Sequence, residues 1–530
     1  MDASEVKRTL RHLPRTTRAL AEKAVHGSLE HLQRLASMAH ELRPHCTTIL
    51  PVFFVHIDPA RIPEQITPEV VQDIMRAKWS LIGLAELLHE HLLEASTGGA
   101  LCAYVASKWN LLYRWIPFFY HHFLADTPSA HSSEIHSLVS VTEALKVTLE
   151  PMIALCRTPT GGPALAHSTI AMHETLMQLW IIVGNLEERD ITPQYGRPSN
   201  EILAQFRLSA STIVRLFFVP DVPHSKFIQA AGGPLIVVST LLKYLRAVAA
   251  ELKRARKSFD PDVVSAPHAD ACFTFVLSSS FSNCVRTAHW ISRNDDFIQE
   301  ALISRRSIHT VATCIAQLWP NLVRVLDHVS QKNMNEGRDE LFHGYDYILF
   351  AILYADDPVA ITCEALNSRL LESILQTVPL HYGLRLESFW QLDVELLSRI
   401  PTLLMFDRVL LAATKSLSRI AVQHIDVHAR CDLALWNGWS HFRNTVAWYA
   451  AIKERVAERP TYGIACCGRE CKVQEGDFEL FRCSGCLLTK YCSKQCQRSD
   501  WKQRHRTLCS FLKKAVPRLA PLIFSRPNFH

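Results

Sequence analysis

The chain has 530 residues, of which 48 % are apolar, with only 18 Gly and 26 Pro. That composition excludes wholesale disorder, and the length exceeds what one hydrophobic core organises, so a large layered or solenoid body with a further small module is expected. Net charge is +6, split between +8 over residues 466–530 and −2 over the remainder, which points to a basic C-terminal module rather than a basic protein.

The first residues, Met1 to Lys23, carry no signal-type apolar core, and no run of about 18 apolar residues follows anywhere. An intracellular protein without a membrane span is expected, cytoplasmic or nuclear. From residue 1 to about 455 the text is helical in period. Over 67–94, Thr67 is a candidate cap, Pro68 stands at the first helical position, and Val71, Ile74, Met75, Ile82, Ala85, Leu88 and Leu92 recur at steps of three and four. Similar patterns occupy 135–156, 168–186, 200–218, 234–257, 261–290, 297–318, 322–333, 339–355, 360–377, 386–413 and 427–457. Breaks between them hold clusters such as Thr158 to Pro163, Arg197 to Asn200 and Asp356 to Pro358. No neighbouring segments alternate with period two, so a large sheet is not expected.

An internal echo runs through this region. Phe227 to Gly233 followed by Leu235 to Leu245 is similar to Phe297 to Leu302 followed by Ile308 to Leu318, and Ile361 to Val378 is a looser third copy. An Ala-Gly-Gly turn leading into an amphipathic helix resembles an armadillo-type repeat. The fold class expected is therefore mainly α, with an α-helical scaffold over 1–455, armadillo-like or irregular.

Several features of the body suggest catalysis and fail on spacing. His89-Glu90-His91 lacks the i, i+4 histidine pair of a helical zinc protease, and His121-His122 reads as a surface pair. The basic run Lys253 to Lys257 ends a helix, where it complements the dipole. There is no phosphate-cradling GxxxxGK[ST], no GxGxxG after a strand and no GxSxG elbow. Eight single cysteines (Cys46, Cys102, Cys156, Cys272, Cys284, Cys314, Cys363 and Cys431) stand in apolar surroundings and read as inert core thiols.

The helical period ends near Arg459-Pro460, and 456–465 reads as a linker. Beyond it the remaining eight cysteines crowd into 466–509. They fall in pairs: Cys466 or Cys467 with Cys471, Cys483 with Cys486, Cys492 with Cys496, and His505 with Cys509. Two soft ligands separated by two to four residues reach one tetrahedral ion from a single turn, so four pairs read as eight ligands for two Zn²⁺ ions. Residues 477–482 alternate as a short strand would, and Gln497 to Leu512 reads as a helix presenting His505 and Cys509 one turn apart.

Cys483-x2-Cys486, Tyr491-Cys492-Ser493, Cys496-Gln497, Asp500-Trp501 and His505-x3-Cys509 together resemble a MYND-type zinc finger over 466–509, leaving 510–530 as a helix end and tail. That resemblance implies an interleaved, cross-braced arrangement, with one ion held by Cys466, Cys471, Cys492 and Cys496 and the other by Cys483, Cys486, His505 and Cys509. The looser first spacing of some family members favours Cys466 over Cys467. The resemblance also implies a groove for a proline-containing, Pro-x-Leu-x-Pro-like peptide, placed at Lys490 and Tyr491 on a strand and at Gln497 and Trp501 on the helix. The chain holds such a peptide itself, Pro517 to Pro521, so self-association is a further expectation.

Closed four-ligand sites fold proteins rather than hydrolyse substrates, so a non-enzymatic adaptor is expected. A SET-type lysine methyltransferase, another class that carries this finger, is disfavoured: only 21 residues follow Cys509 and no Asn-His-Ser stretch occurs. DNA binding through a basic helix face is disfavoured as well, because two zinc ions and seven thiolates lower the local +8 to +5.

Overall fold

The computed structural model describes residues 3–39, 41–91, 104–105, 107–125, 139–156, 170–191, 199–213, 224–258, 267–325, 331–384, 387–457, 466, 471, 480–486 and 489–510. The chain forms two compact units, Met1–Phe442 and Arg443–His530. Among the described residues the first is helical throughout, and the sole sheet, of two short strands, lies in the second.

At the N-terminal end, helices Leu29–Ser37 and Cys46–Phe54 pack on helix Val71–His91, and Arg15–Val25 packs on those two. That helix begins later than its apolar period suggests. Thr67 and Pro68 open a hydrogen-bonded turn, Val70 N donating to Thr67 O at 3.1 Å, before the helix starts at Val71. Its buried face carries Ile74, Ala77, Leu81, Leu84 and Ala85, at the steps of three and four that an amphipathic helix requires.

From there the body is built as two ladders. In the first, Val71–His91, Val141–Cys156, Ser199–Ile213, Pro267–Asn294, Gln331–Tyr354 and Glu387–Arg399 each pack on the next. In the second, Ile170–Asn185, Pro234–Ser258, Ser307–Val325, Leu370–Leu384 and the 3₁₀ segment Ile425–Cys431 do the same. From Ser199–Ile213 to Glu387–Arg399 the rungs of the first ladder also pack on rungs of the second, so these helices bury their apolar stripes against two layers. Buried side chains tie successive rungs by donating to carbonyls of the rung before: Tyr244 OH to Trp180 O at 2.6 Å, Ser280 Oγ to Leu208 O at 3.0 Å and Cys314 Sγ to Leu245 O at 3.8 Å.

The echoing stretches fall at equivalent places. Short helices His224–Ala230, Asp296–Ser304 and Pro358–Asn367 each precede a rung of the second ladder. The chain turns between them through left-handed backbone, at Gly232 and Gly233 (φ 82° and 120°), Arg306 (φ 64°) and Arg369 (φ 69°). The segments expected as single helices over 297–318 and 360–377 are therefore broken in two. Gly at the first turn relieves the clash of Cβ with its own carbonyl, whereas arginine at the other two bears it. The segment expected over 386–413 is likewise interrupted, by the 3₁₀ turn Ile400–Leu403 with Pro401 inside it.

Of the single cysteines, Cys284, Cys314 and Cys363 are buried as expected, while Cys46 is half-buried and Cys431 is exposed. Desolvation pushes the Cys314 thiol up to about 12, in keeping with an inert core group. The backbones of Cys156 and Cys272 are helical, and Cys102 lies outside the described residues.

Candidate metal centre

The second unit starts from very little regular structure. Strand β1 (Phe481–Arg482) pairs antiparallel with β2 (Lys490–Tyr491), Phe481 opposite Tyr491, and Cys483 N donates to Thr489 O at 2.9 Å to close the turn between them. The short strand expected over 477–482 is thus observed at its last two residues, and 477–479 lie outside the described residues. Ser493, extended at φ −155°, then caps helix Lys494–Asp500, its Oγ accepting from Cys496 N at 3.2 Å. The helix starts three residues before Gln497, the start that the sequence suggests. Trp501–His505 continues as a π-type turn, and 506–510 are again helical.

These elements gather the metal-ligating side chains into two sets. Ligand atoms of Cys466, Cys471, Cys492 and Cys496 lie within 4.8 Å of one another, and so do those of Cys483, Cys486, His505 and Cys509. The sets are interleaved along the chain, in the pattern the resemblance implies. Cys466 joins the first set, while Cys467 lies outside the described residues.

The spacing inside each set fits zinc. A tetrahedral ion with Zn–S near 2.3 Å and Zn–N near 2.0 Å separates two sulfurs by about 3.8 Å and a sulfur from a nitrogen by about 3.5 Å. The observed separations are 3.4 Å for Cys471 to Cys492, 3.6 Å for Cys492 to Cys496, 3.8 Å for Cys483 to Cys509 and 3.5 Å for Cys486 Sγ to His505 Nε2. A disulfide would need about 2.05 Å, so the sulfurs are placed as co-ligands rather than as bridges. Each set supplies four protein donors and can hold one zinc ion, so the finger can hold two. With the coordination sphere closed by protein, no position is left for water or substrate.

The sets differ in surroundings. All four residues of the Cys483 set are buried, whereas those of the Cys466 set are half-buried. Desolvation and the neighbouring thiols push Cys492 up to about 12 and Cys509 up to about 11. Thiols held protonated in this way give up protons when a metal binds.

Further side chains surround the ligands, among them Tyr491, for which the resemblance implies a different role. Thr489 Oγ1 stands 3.3 Å from Cys486 Sγ, within reach of a ligand sulfur, and 3.1 Å from His505 Nε2, the ring nitrogen that faces the metal position. Tyr491 is fully buried and donates its hydroxyl to Asp500 Oδ2 at 2.7 Å, while Arg504 Nε reaches Asp500 Oδ1 at 3.5 Å. At Gly485 a Cβ would lie 2.8 Å from Cys509 Sγ. The clearest signal of this support in the sequence is the motif of Tyr491, Asp500 and Trp501, whose pairing into a polar core only the fold reveals.

The four residues that the resemblance assigns to a groove divide by exposure. Trp501 is 40 % exposed, Gln497 and Lys490 are half-buried, and Tyr491 turns its ring inward. Tyr491 is buried as a whole residue, so neither its ring nor its main chain faces solvent. Strand β2 packs against helix Lys494–Asp500, so strand and helix share one small face.

Residues 465–509 match the MYND finger family. This segment is a MYND finger. A MYND finger is a protein-interaction module, so the second unit carries a surface for a protein partner. The finger is similar to part of mouse histone-lysine N-methyltransferase SMYD3, at 48 % identity over 46 residues, which is 9 % of this chain and 10 % of that protein. The chain therefore spans about a tenth of that relative's length, and the likeness is one of fingers. Among the described residues no helix is long and apolar enough to cross a membrane.

Proposed function

We propose that the protein is a non-enzymatic, zinc-dependent adaptor whose MYND finger grips a proline-containing segment of the Pro-x-Leu-x-Pro kind, while the helical body serves as scaffold. The observation that carries this reading is Trp501, an indole left 40 % exposed just past helix Lys494–Asp500, the helix that packs on β2. An edge strand offers main-chain hydrogen bonds, and an indole face accepts a proline segment that is already extended, so little conformational entropy is lost on binding. The two closed metal sets position strand and helix and supply no reactive metal position.

The likeness to SMYD3 supports the finger and not a methyltransferase reaction. Self-association through Pro517 to Pro521, in which one copy's tail occupies another's groove, lies outside the described residues and is tested by comparing peptide affinity with and without 515–530. No change on removing the tail overturns self-association.

The central experiment titrates a labelled Pro-x-Leu-x-Pro peptide against the full chain and against Trp501→Ala, with zinc content measured for both. Loss of an aromatic anchor is expected to cost about 2 kcal/mol, or about thirtyfold in Kd, at two zinc ions per chain. Equal affinity in the two proteins overturns the groove. A second reading, binding to nucleic acid, rests on the exposed basic residues Arg498, Lys502 and Arg506. Steeply salt-dependent binding of duplex DNA, unaffected by Trp501→Ala, would replace the peptide reading with that one.

A further inference from the structure

The described part of the finger from 480 to 510 exposes charge of one sign. Among the described residues from 480 to 510, Arg482, Lys494, Arg498, Lys502, Arg504 and Arg506 are exposed and Lys490 is half-buried. The single acidic side chain there, Asp500, is 1 % exposed and is occupied by Tyr491 and Arg504. The compensating negative charge belongs to the metal-ligating thiols, and Cys483, Cys486 and Cys509 are buried. The described surface from 480 to 510 is therefore cationic, while the finger's other carboxylates, Glu470, Glu475, Asp477 and Glu479, lie outside the described residues.

That charge is also placed around the indole. On a helix surface, residues three before and three or four after a position lie beside it. Arg498 precedes Trp501 by three residues at the end of helix Lys494–Asp500, and Arg504 follows it within the π-type turn. Arg504 keeps 54 % of its side chain exposed despite its contact with Asp500. Guanidinium groups in this setting favour carboxylates in planar, two-point contact.

We propose that the groove selects a proline-containing segment flanked by Asp or Glu residues, so that an acidic peptide, and not merely a proline-rich one, is the partner. The proposal rests on the groove reading above and adds its charge requirement. Exposed ion pairs contribute little one by one, so two or three of them set partner choice and on-rate more than the core contact itself.

The test uses the full-length protein at two zinc ions per chain and three peptides with one Pro-x-Leu-x-Pro core, flanked by Glu-Glu, Ser-Ser or Lys-Lys. At low ionic strength the acidic peptide is expected to bind about five- to tenfold tighter than the neutral one and the basic peptide more weakly, with the differences shrinking as salt screens exposed charge. In Arg498→Glu the ratio of acidic to basic affinity is expected to fall or invert at unchanged zinc content. Three peptides that bind with equal affinity overturn the charge requirement while leaving the groove standing. Failure of all three to bind overturns both. An acidic preference retained in full by Arg498→Glu, or abolished by Trp501→Ala only to the same extent as general affinity for polyanions, also overturns it.

Discussion

At Gly485 a Cβ would stand 2.8 Å from Cys509 Sγ and 3.7 Å from Cys483 Sγ, two sulfurs of the buried set. Gly485→Ala must displace one of them, so metal affinity of that set is expected to fall about 10- to 100-fold, the range seen when ligand support is lost. Competitive chelator titration should show one weakened zinc and one unchanged, with Ser484→Ala, at an exposed neighbour, behaving as wild type. In the body, Asp393 is 1 % exposed, and desolvation raises its carboxyl well above the usual range. The folded state then holds a proton that the unfolded chain releases near pH 4, so stability is lost as pH rises from there toward the folded value, by up to about 1.4 kcal/mol per unit. Asp393→Asn, which mimics the protonated group, should match wild type in urea midpoint at pH 4 and exceed it at pH 7. The ligands were legible because soft donors at two- to four-residue spacing in a short polar segment serve a metal and little else. Gly485, Asp500 and Asp393 were not, since their roles depend on which side chains arrive from elsewhere in the chain.

Among the elements, the turns at Arg306 and Arg369 separate sequence from structure most clearly. Both residues are exposed and left-handed, so their cost is one of backbone rather than packing. A non-glycine residue there pays about 1–2 kcal/mol. Arg306→Gly is accordingly expected to leave thermal stability unchanged or raise it by up to about 1 kcal/mol, the gain limited by glycine's larger unfolded-state entropy. Arg306→Val, stiffer at Cβ, should lower it by a similar amount, and paired melts of the two variants check the sign. Gly232-Gly233 announces its turn in the sequence, whereas Arg305-Arg306-Ser307 looks like any polar stretch of helix, so apolar period alone ran two helices together. The helical nature of every long segment was nevertheless readable, because period survives a local break. Which helix packs on which was not, since the ladders join segments 64 to 72 residues apart through carbonyl contacts such as Tyr244 OH to Trp180 O.

For the whole molecule, the separation into Met1–Phe442 and Arg443–His530 predicts how metal loss spreads. The body's layers bury their own apolar faces, while the finger's described core is little more than Tyr491 and the ligands themselves. Treatment with a strong chelator should therefore unfold the finger and leave most far-UV helical signal in place. Limited proteolysis before and after chelation checks this: new cuts are expected within 466–510, and a loss of protection across the body would contradict it.

The unequal burial of the two metal sets has a consequence in time rather than in affinity. A chelator or an oxidant reaches half-buried sulfurs sooner than enclosed ones, so the Cys466 set should surrender its ion first. Because the ligand pairs alternate along the chain, that first loss frees the segment bearing Cys492 and Cys496, which joins the strand to the helix that carries His505 and Cys509. The second ion then departs from a site whose frame has slackened. Release should follow a slow step and then a faster one, and the finger would report brief thiol stress as an all-or-none loss of its binding face.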